Sequence, residues 1–205
     1  MSDSILLTGQ RGPSDHHRRQ QIIAQANAHF RLYGYRKTSV ASLARNIGVS
    51  SAYLYRFFDS KQGIGQAICQ SVLENITAQL EAVVYGSGTA IERLRGFTQT
   101  ALDLSIDLFL NEGRMQEVVL EAISQKWPAV LQYERDLERL LTELIRSGRQ
   151  SGEFERRCPI DEVALGAMVA LSASLHPALL ELQSAQEAQH SQVLATQLIL
   201  RSLMP

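Results

Sequence analysis

The chain has 205 residues, of which 45% are hydrophobic and 20% are charged, a composition typical of a globular protein and not of a disordered one. No apolar run is long enough for a membrane span. Residues 1–13 lack the basic flank and cleavage site of a signal peptide, so we expect a flexible tail there. Cys69 and Cys158 have neither CxxC nor His spacing around them, which argues against a disulfide framework or a metal site. We therefore expect a cytoplasmic protein with no cofactor and no membrane partner.

The net charge of -1 conceals an uneven distribution along the chain. Residues 1–61 carry nine Lys or Arg and three acidic residues, a balance of +6. Residues 62–205 carry 11 basic and 18 acidic residues, a balance of -7. A basic end on an almost neutral chain indicates contact with a polyanion such as nucleic acid. Chance clustering of charges on solvated faces is the alternative explanation.

The N-terminal part of the sequence predicts four helices separated by glycines and small polar residues. Apolar residues recur at positions i, i+3, i+4 and i+7, and we find no alternating strand pattern of useful length. Gly34 and Gly48 are placed to end the first two helices, and serine, threonine or aspartate residues are placed to cap the helix starts. We expect these helices at about 14–33, 38–47, 50–57 and 60–85.

The rest of the chain continues as helices, so we predict an all-α protein. Residues 86–89, Gly-Ser-Gly-Thr, predict a linker, and residues 147–159, with two glycines, predict a loop. Gly113 and the Trp127–Pro128 step separate neighbouring helices, the latter because proline disfavours helix in the residue before it. We expect helices at about 90–111, 114–126, 128–147, 160–182 and 187–203.

Residues 40–59, VASLARNIGVSSAYLYRFFD, meet the requirements of a helix-turn-helix. Two helices that cross steeply need a small residue at their closest approach, which Ala44 supplies. They also need a turn residue that tolerates positive φ, which Gly48 supplies four positions later. Apolar residues must hold the pair on a supporting helix, and an ordinary helical hairpin in a core is the alternative. The residues at suitable offsets are Leu43, Ile47, Val49, Leu54 and Phe57.

In a helix-turn-helix the N-terminal residues of the second helix meet base edges in the major groove, and helix N-termini bind phosphates. The residues at 51–53 offer two hydroxyls and a methyl group to the bases, and the nearby polar and basic residues would reach the DNA backbone. The tyrosines are alternatively core aromatics, and the basic residues are alternatively solvated charges. The predicted DNA contacts are Arg36, Lys37, Thr38, Ser39, Ser51, Ala52, Tyr53, Tyr55, Arg56 and Lys61.

The run AHFRLYGYRKTSVASLARNIGVSSAYLYRFFDSKQGI carries a family resemblance. It has an aromatic residue and a glycine before Thr38–Ser39, then the LARNIGVS turn, then LYRFF followed by Ser60–Lys61. Residues 19–73 therefore resemble the DNA-binding domain of the tetracycline-repressor (TetR) family. The resemblance implies a three-helix DNA-binding head at 14–61 and a helical body at 62–205 that binds a ligand and forms a homodimer.

Three features depart from the usual pattern of that family. Ser51 stands where relatives often have a basic residue. Tyr53 is bulkier than the small residue often found at its position, which leaves the operator sequence open. Gly63 and Gly65 weaken the start of the fourth helix by roughly 1 kcal/mol each relative to alanine. Softness in this connecting helix would matter for switching, and a tolerated weak first turn is an equal alternative.

The last two predicted helices are rich in small and branched apolar residues, and a pair this apolar needs a partner surface. The resemblance implies that they join their symmetry mates in a four-helix dimer interface. Such a dimer would hold two heads about 34 Å apart, which is one turn of DNA. The alternative is that the stripes belong to the core of one chain. The predicted interface residues are Val163, Ala167, Leu171, Leu175, Leu194 and Leu198.

The middle helices carry large apolar residues that suit a cavity for a moderately hydrophobic effector. Ordinary core packing is the alternative for each of them. Asp103 and Asp107 lie one helical turn apart and would suit a cationic ligand, or else form a solvated face. His176 precedes Pro177 and is placed to shape a kink. The predicted ligand-binding residues are Phe97, Leu104, Phe109, Met115, Trp127 and Tyr133.

These patterns favour a ligand-responsive repressor that binds operator DNA as a homodimer and is released by a small effector. A redox-sensing regulator that uses Cys69 or Cys158 is an alternative, although lone helical cysteines are usually inert packing residues. A small helical enzyme is the alternative from another class. The sequence shows no paired catalytic carboxylates, nucleophile motif, GxGxxG or metal spacing to support it, so we expect a protein that is not an enzyme.

Overall fold

The computed structural model describes residues 13–111 and 114–205, and over these ranges the chain is helical with no strand. The prediction of an all-α fold is confirmed. The predicted tail, apart from its last residue, and the predicted break at Gly113 lie outside the described residues. The helices are α1 (Pro13–Tyr33), α2 (Val40–Ile47), α3 (Ser51–Tyr55), α4 (Lys61–Val84), α5 (Ala90–Ile106) with a π-helical turn at Asp107–Asn111, α6 (Met115–Ser124), α7 (Pro128–Ser151), α8 (Ile160–Leu175), α9 (Pro177–Leu180) and α10 (Ala185–Leu203).

Serine residues cap α2 and α3 of the N-terminal head, as the sequence predicts, whereas α1 begins at Pro13. The Ser39 hydroxyl accepts a hydrogen bond from the Ser42 N–H at 3.0 Å, and the Ser42 hydroxyl accepts one from the Ser39 N–H at 3.0 Å, which completes a capping box. The Ser50 hydroxyl caps α3 by accepting from the Tyr53 N–H at 3.1 Å. Helix α3 ends two residues before the predicted Phe57, because the chain tightens there into a turn.

The long helix α4 joins the head to the body and lies against α1, α5, α6 and α7. Its start is capped by Ser60, whose hydroxyl accepts from the Gly63 N–H at 3.0 Å. The buried face of α4 includes Ile68, Leu73 and Leu80, which pack into one continuous core shared by head and body. Helix α4 therefore connects the head to the body with a well-packed face.

In the body, the linker predicted at residues 86–89 is confirmed, whereas the predicted end of the helix before the next loop differs from the structure. Residues 86–89 form a tight turn that leads into α5, where Thr89 and Glu92 make a capping box. Helix α7 continues to Ser151, four residues beyond the predicted end, because Gly148 lies inside the helix and faces the Phe154 ring. The predicted loop at 147–159 therefore begins only at Gly152, whose φ of +81° ends α7.

The last helices form one outer side of the body. The predicted helix at 160–182 is broken between α8 and α9 at His176, which confirms the kink expected before Pro177. Helix α10 begins at Ala185 behind a capping box formed by Ser184 and Glu187, and it packs against α8 and α5. No helix in the described ranges combines the length and the hydropathy that crossing a bilayer requires.

Candidate nucleic-acid interface and ligand cavity

The helix-turn-helix is held by the apolar residues that its sequence spacing predicts. Leu43, Ala44 and Leu54 are buried, and they join Phe30 of α1 in the core of the head. Gly48 adopts a φ of +81°, the left-handed turn conformation predicted for it. The small residue, the turn glycine and the apolar anchors therefore act together as predicted, and α2, α3 and α1 form a compact three-helix unit.

Most of the predicted DNA contacts lie on the surface of this head. The N-terminal turn of α3, the start of α2 and the loop before it face outward together with the end of α3. In a helix-turn-helix protein, such a surface allows the second helix to enter a major groove while the start of the preceding helix meets phosphates. The exposed members of the predicted set are Arg36, Lys37, Ser39, Ala52, Tyr55 and Arg56, and Ser51 and Tyr53 are half-buried.

Three of the predicted contacts also have partners inside the head. Thr38 is buried, and its hydroxyl donates to the Gly34 carbonyl at 2.7 Å. The Lys61 ammonium donates to the Tyr35 carbonyl at 3.1 Å and lies 4.5 Å from the centre of the Tyr35 ring. The Tyr53 ring meets the Phe57 ring edge-on at 5.3 Å. These side chains therefore help to position the surface that carries the predicted DNA contacts, in addition to any contact they make with DNA.

The head touches the body at the start of α6, a contact that the sequence analysis missed. The Arg36 N–H donates to a carboxylate oxygen of Glu117 at 2.9 Å, and the Arg114 N–H donates to the Arg31 carbonyl at 3.3 Å. The same carboxylate lies directly against Gly34, where a φ of +84° turns the chain out of α1. No local pattern could reveal this contact, because its partners are 81 residues apart in sequence.

A second contact between head and body is aromatic. The Tyr35 ring meets the Trp127 ring edge-on, with 6.2 Å between ring centres. Gly65 of α4 lies beneath both rings, and a Cβ there would come within 2.9 Å of Trp127 and 3.0 Å of Tyr35. Close packing therefore requires Gly65, which gives the glycine a structural reason besides helix softness.

The body contains an apolar cavity of about 220 Å³ whose walls come from helices α4 to α9. Three of the six predicted ligand-binding residues line it, namely Phe97, Phe109 and Tyr133. Leu104, Met115 and Trp127 are not among its lining residues; Met115 and Trp127 are instead buried core residues. Lining residues that the sequence analysis missed include Val119, Ile123, Glu134, Met168 and His176.

The polar groups of the cavity wall are few. Burial raises the pKa of Tyr133, so its phenol stays protonated at neutral pH and can donate a hydrogen bond. The Ser105 hydroxyl already donates to the Ala101 carbonyl at 2.8 Å. Asp103 and Asp107, considered above for a cationic ligand, are not among the residues that line the cavity. An apolar wall with a few polar groups is the usual form of a small-molecule site.

A wider groove of about 470 Å³ runs along α4 and α7 on the outside of the body. Charged residues of both signs line it, including Glu74, Arg135 and Asp136. At its edge Arg139 donates to Glu81 at 2.6 Å, which raises the pKa of the arginine. The groove therefore carries charges of both signs, in contrast to the apolar cavity.

The outer face of α8 and α10 exposes large apolar side chains. Leu194 and Leu198, both predicted to lie in a dimer interface, are exposed on α10, with Leu198 64% exposed. Ala167 and Leu171 of α8 are buried against the core of their own chain, so for these two the alternative of intramolecular packing holds. Val163 and Leu175 are half-buried. The sequence analysis missed the exposed pair on α8, Leu165 and Val169.

The cysteines differ in environment. Cys69 is buried in α4, and burial raises the pKa of its thiol to about 11. Because the thiolate is the reactive form, this burial makes Cys69 a poor redox sensor. Cys158 is exposed in the loop before α8, where its carbonyl accepts from Arg149 at 2.7 Å. Among the described residues no group of three or more His, Cys, Asp or Glu could hold a metal ion.

A helix-turn-helix head on an all-helical body with an internal cavity defines a class of DNA-binding regulator. Residues 22–68 match the family model of bacterial regulatory proteins of the tetR family. Residues 90–193 match the model of the tetracyclin repressor-like C-terminal domain. The chain belongs to the TetR family, and it is a DNA-binding transcriptional regulator.

The chain is also similar to individual proteins. It is 29% identical over 72 residues to the nucleoid occlusion factor SlmA of Haemophilus influenzae, a match that spans 35% of this chain and 33% of that relative. A transcriptional regulator from Cytophaga hutchinsonii has a similar structure, with a TM-score of 0.76, 16% identity, and coverage of 92% of this chain and 99% of that one.

SmeT, the repressor of the Stenotrophomonas maltophilia multidrug efflux pump SmeDEF, has a TM-score of 0.69 and 19% identity, with coverage of 91% of this chain and 90% of that one. The fatty acid degradation regulator FadR from Bacillus halodurans has a TM-score of 0.68 and 16% identity, with coverage of 94% and 97%. At such identities the structural similarity shows a shared fold.

Proposed function

We propose that this regulator is a repressor that binds operator DNA as a homodimer in the bacterial cytoplasm and is released by a small, mostly hydrophobic effector. The observation that carries the proposal is the position of α6. Its first turn holds the head through Glu117, and Val119 and Ile123 of the same helix line the apolar cavity. A molecule that enters the cavity therefore acts on the helix that touches the DNA-binding head.

The proposed DNA interface divides by role. The residues at 51–53 meet base edges, and Tyr55 and Arg56 reach the edge of the groove. Arg36, Lys37 and the N-termini of α2 and α4 meet phosphates, which supply affinity and its salt dependence. The internal partners of Thr38 and Lys61 support a positioning role for these two side chains, and the Thr38 N–H itself donates to the Tyr35 carbonyl at 3.2 Å.

The proposed dimer uses the outer face of α8 and α10. Leu165, Val169, Leu194 and Leu198 form a set of exposed apolar side chains on these two helices, and water would otherwise cover them. A two-fold axis through this face brings each helix pair against its copy. It also presents two heads to successive major grooves, as a dimeric helix-turn-helix protein requires.

Release follows from one equilibrium between two arrangements of the heads. The effector binds better to the arrangement whose head spacing does not fit the operator, so ligand and DNA oppose each other. Two proteins of similar structure are themselves regulators. SmeT represses a multidrug efflux pump, and FadR regulates fatty acid degradation.

Selection of binding sites from random DNA with the purified chain tests the proposal. We expect a palindromic operator bound by a dimer, with an affinity that falls steeply as salt rises. Lys37→Ala should weaken binding to all sequences and reduce the slope of log affinity against log salt by about 1. Arg135→Ala, which removes an equally exposed charge from the body, is the matched control and should change neither. A monomer, or the absence of any sequence-specific complex at moderate salt, contradicts the proposal.

A further inference from the structure

We propose that the effector of this regulator is a lipophilic amine, an apolar molecule whose ammonium end lies beside Glu134 at the edge of the apolar cavity. This inference rests on the proposed function, since it names the chemistry of the ligand that the cavity receives. It depends on the apolar walls of the cavity, on the charge of the residues that line it, and on the surroundings of Glu134.

The walls suit the apolar part of such a ligand. Leu, Ile, Val, Met and Phe side chains dominate the lining, and Phe97 and Phe109 are buried. A volume of about 220 Å³ holds a medium-length alkyl chain or a small ring system. Removing this apolar surface from water supplies the bulk of the affinity without selecting a charge.

The charge of the cavity lining favours one charge on the polar head group of the ligand. Glu134 is the only lining residue with a formal charge among the side chains that the structure describes, and neither Lys nor Arg lines the cavity. A carboxylate or phosphate inside this wall would lack a cationic partner and would pay the full cost of desolvation. An ammonium group instead meets a carboxylate of opposite charge.

The surroundings of Glu134 leave it available. It makes no hydrogen bond or ion pair with any side chain in the described part of the chain, although arginine and glutamine residues pair with most of the acids near it on α7. Tyr133 lines the same cavity, and its phenol oxygen can accept a hydrogen bond from a further N–H group. Aromatic faces add a cation–π attraction when a cation lies over them.

Because Glu134 is exposed, water weakens its attraction for the ammonium group, and we expect a modest preference for the amine. Exposed ion pairs correspond to about a fivefold change in affinity at most. The inference is therefore tested by comparing ligands that share one apolar part and differ in the charge of the head group. Decylamine, decanol and decanoate form such a series, being cationic, neutral and anionic at neutral pH.

The experiment is isothermal titration calorimetry of these three probes into the full chain without DNA. We expect decylamine to bind tighter than decanol by up to about fivefold, and decanoate to bind weaker than decanol. Glu134→Gln should bring the ratio of decylamine to decanol affinity close to one. Glu138→Gln, one turn further along α7 and outside the lining, should keep the wild-type ratio and serves as the matched control.

A second control separates the cavity from the outer groove. Glu74→Gln removes a carboxylate that lines the groove, and it should leave the decylamine ratio unchanged. Equal affinities for the three probes, a preference for decanoate, or a ratio that Glu134→Gln does not change would each overturn the inference. So would a chain that binds no probe at all. Operator binding is measured separately on the ligand-free chain, so these failures are distinguished from a failure of the proposed DNA-binding function.

Discussion

The carboxylate of Glu117 accepts a hydrogen bond from the backbone N–H of Arg36 at 2.9 Å and thereby ties the first turn of α6 to the loop that precedes α2. The loop holds two of the proposed phosphate contacts, and α6 forms part of the cavity wall. Because the donor is a main-chain N–H, which cannot rotate away as a side chain can, this bond holds the backbone of the loop in position. We therefore expect a movement of α6 to displace this loop of the proposed DNA-binding surface.

The first prediction removes this bond. Glu117→Ala should raise the hydrogen-exchange rate of the Arg36 amide severalfold, because loss of the acceptor of this exposed hydrogen bond costs about 1 kcal/mol. Exchange mass spectrometry on peptides that cover residues 34–38 measures it. Gln125→Ala, at the exposed end of the same helix, should leave the exchange unchanged. Equal protection in the two variants would show that the bond does not hold the loop.

The second prediction compares two glycines in the first turns of α4. Gly65→Ala should destabilise the chain by about 1–3 kcal/mol, because the added methyl group collides with the buried Trp127 and with Tyr35. Gly63→Ala meets nothing closer than the Ser60 hydroxyl at 3.8 Å. It should stabilise the chain by up to about 1 kcal/mol through helix propensity. Urea unfolding midpoints measure both, and destabilisation by Gly63→Ala would contradict this account.

The contrast between local and distant contacts explains what the sequence could predict. The helix-turn-helix was predictable because Ala44 and Gly48 carry their requirements within a few residues of each other. The role of Gly148 was not, since a glycine near a helix end predicts a stop, and its close partner Phe154 lies beyond that expected stop. Helix α8 is apolar on several faces, so periodicity could not show that the side with Leu171 faces the core of its own chain and that the side with Val169 is exposed.

The cavity shows the same limit. Large apolar residues at helical spacing predict a core, and only their arrangement in space shows which of them leave a void. Phe97 and Trp127 are both buried and both aromatic, yet Phe97 lines the cavity whereas Trp127 fills the junction with the head. The charge of Glu134 on α7 looks like any solvated charge in the sequence until the structure places it at the cavity.

The third prediction concerns the cysteines. Burial raises the pKa of Cys69 to about 11, so the folded state favours the neutral thiol. This contribution to stability is complete below the unfolded thiol pKa of about 8.5 and declines as the pH rises toward 11. At pH 8, iodoacetamide should label Cys158 in the native chain and should label Cys69 only after unfolding. Rapid native labelling of Cys69, read by peptide mass spectrometry, would make Cys69 a candidate redox sensor again.

The fourth prediction tests the proposed dimer face. Val169 and Leu198 are 66% and 64% exposed in one chain, so replacing them should leave the fold of the protomer intact. The double variant Val169→Glu with Leu198→Glu places two negative charges on the proposed face of each protomer. In a two-fold dimer these charges would lie against the same charges of the partner and repel them. We expect the variant to sediment as a monomer and to lose most of its operator affinity, because a single head contacts only one half-site.

Leu131→Glu is the control for that variant, since it adds the same charge at an exposed leucine on α7, away from α8 and α10. It should remain dimeric and keep its affinity for the operator. Sedimentation velocity and operator titration on the same samples separate the two requirements. A double variant that stays dimeric would place the interface on another face, whereas a monomer that binds the operator at full strength would show that pairing is not what positions the heads.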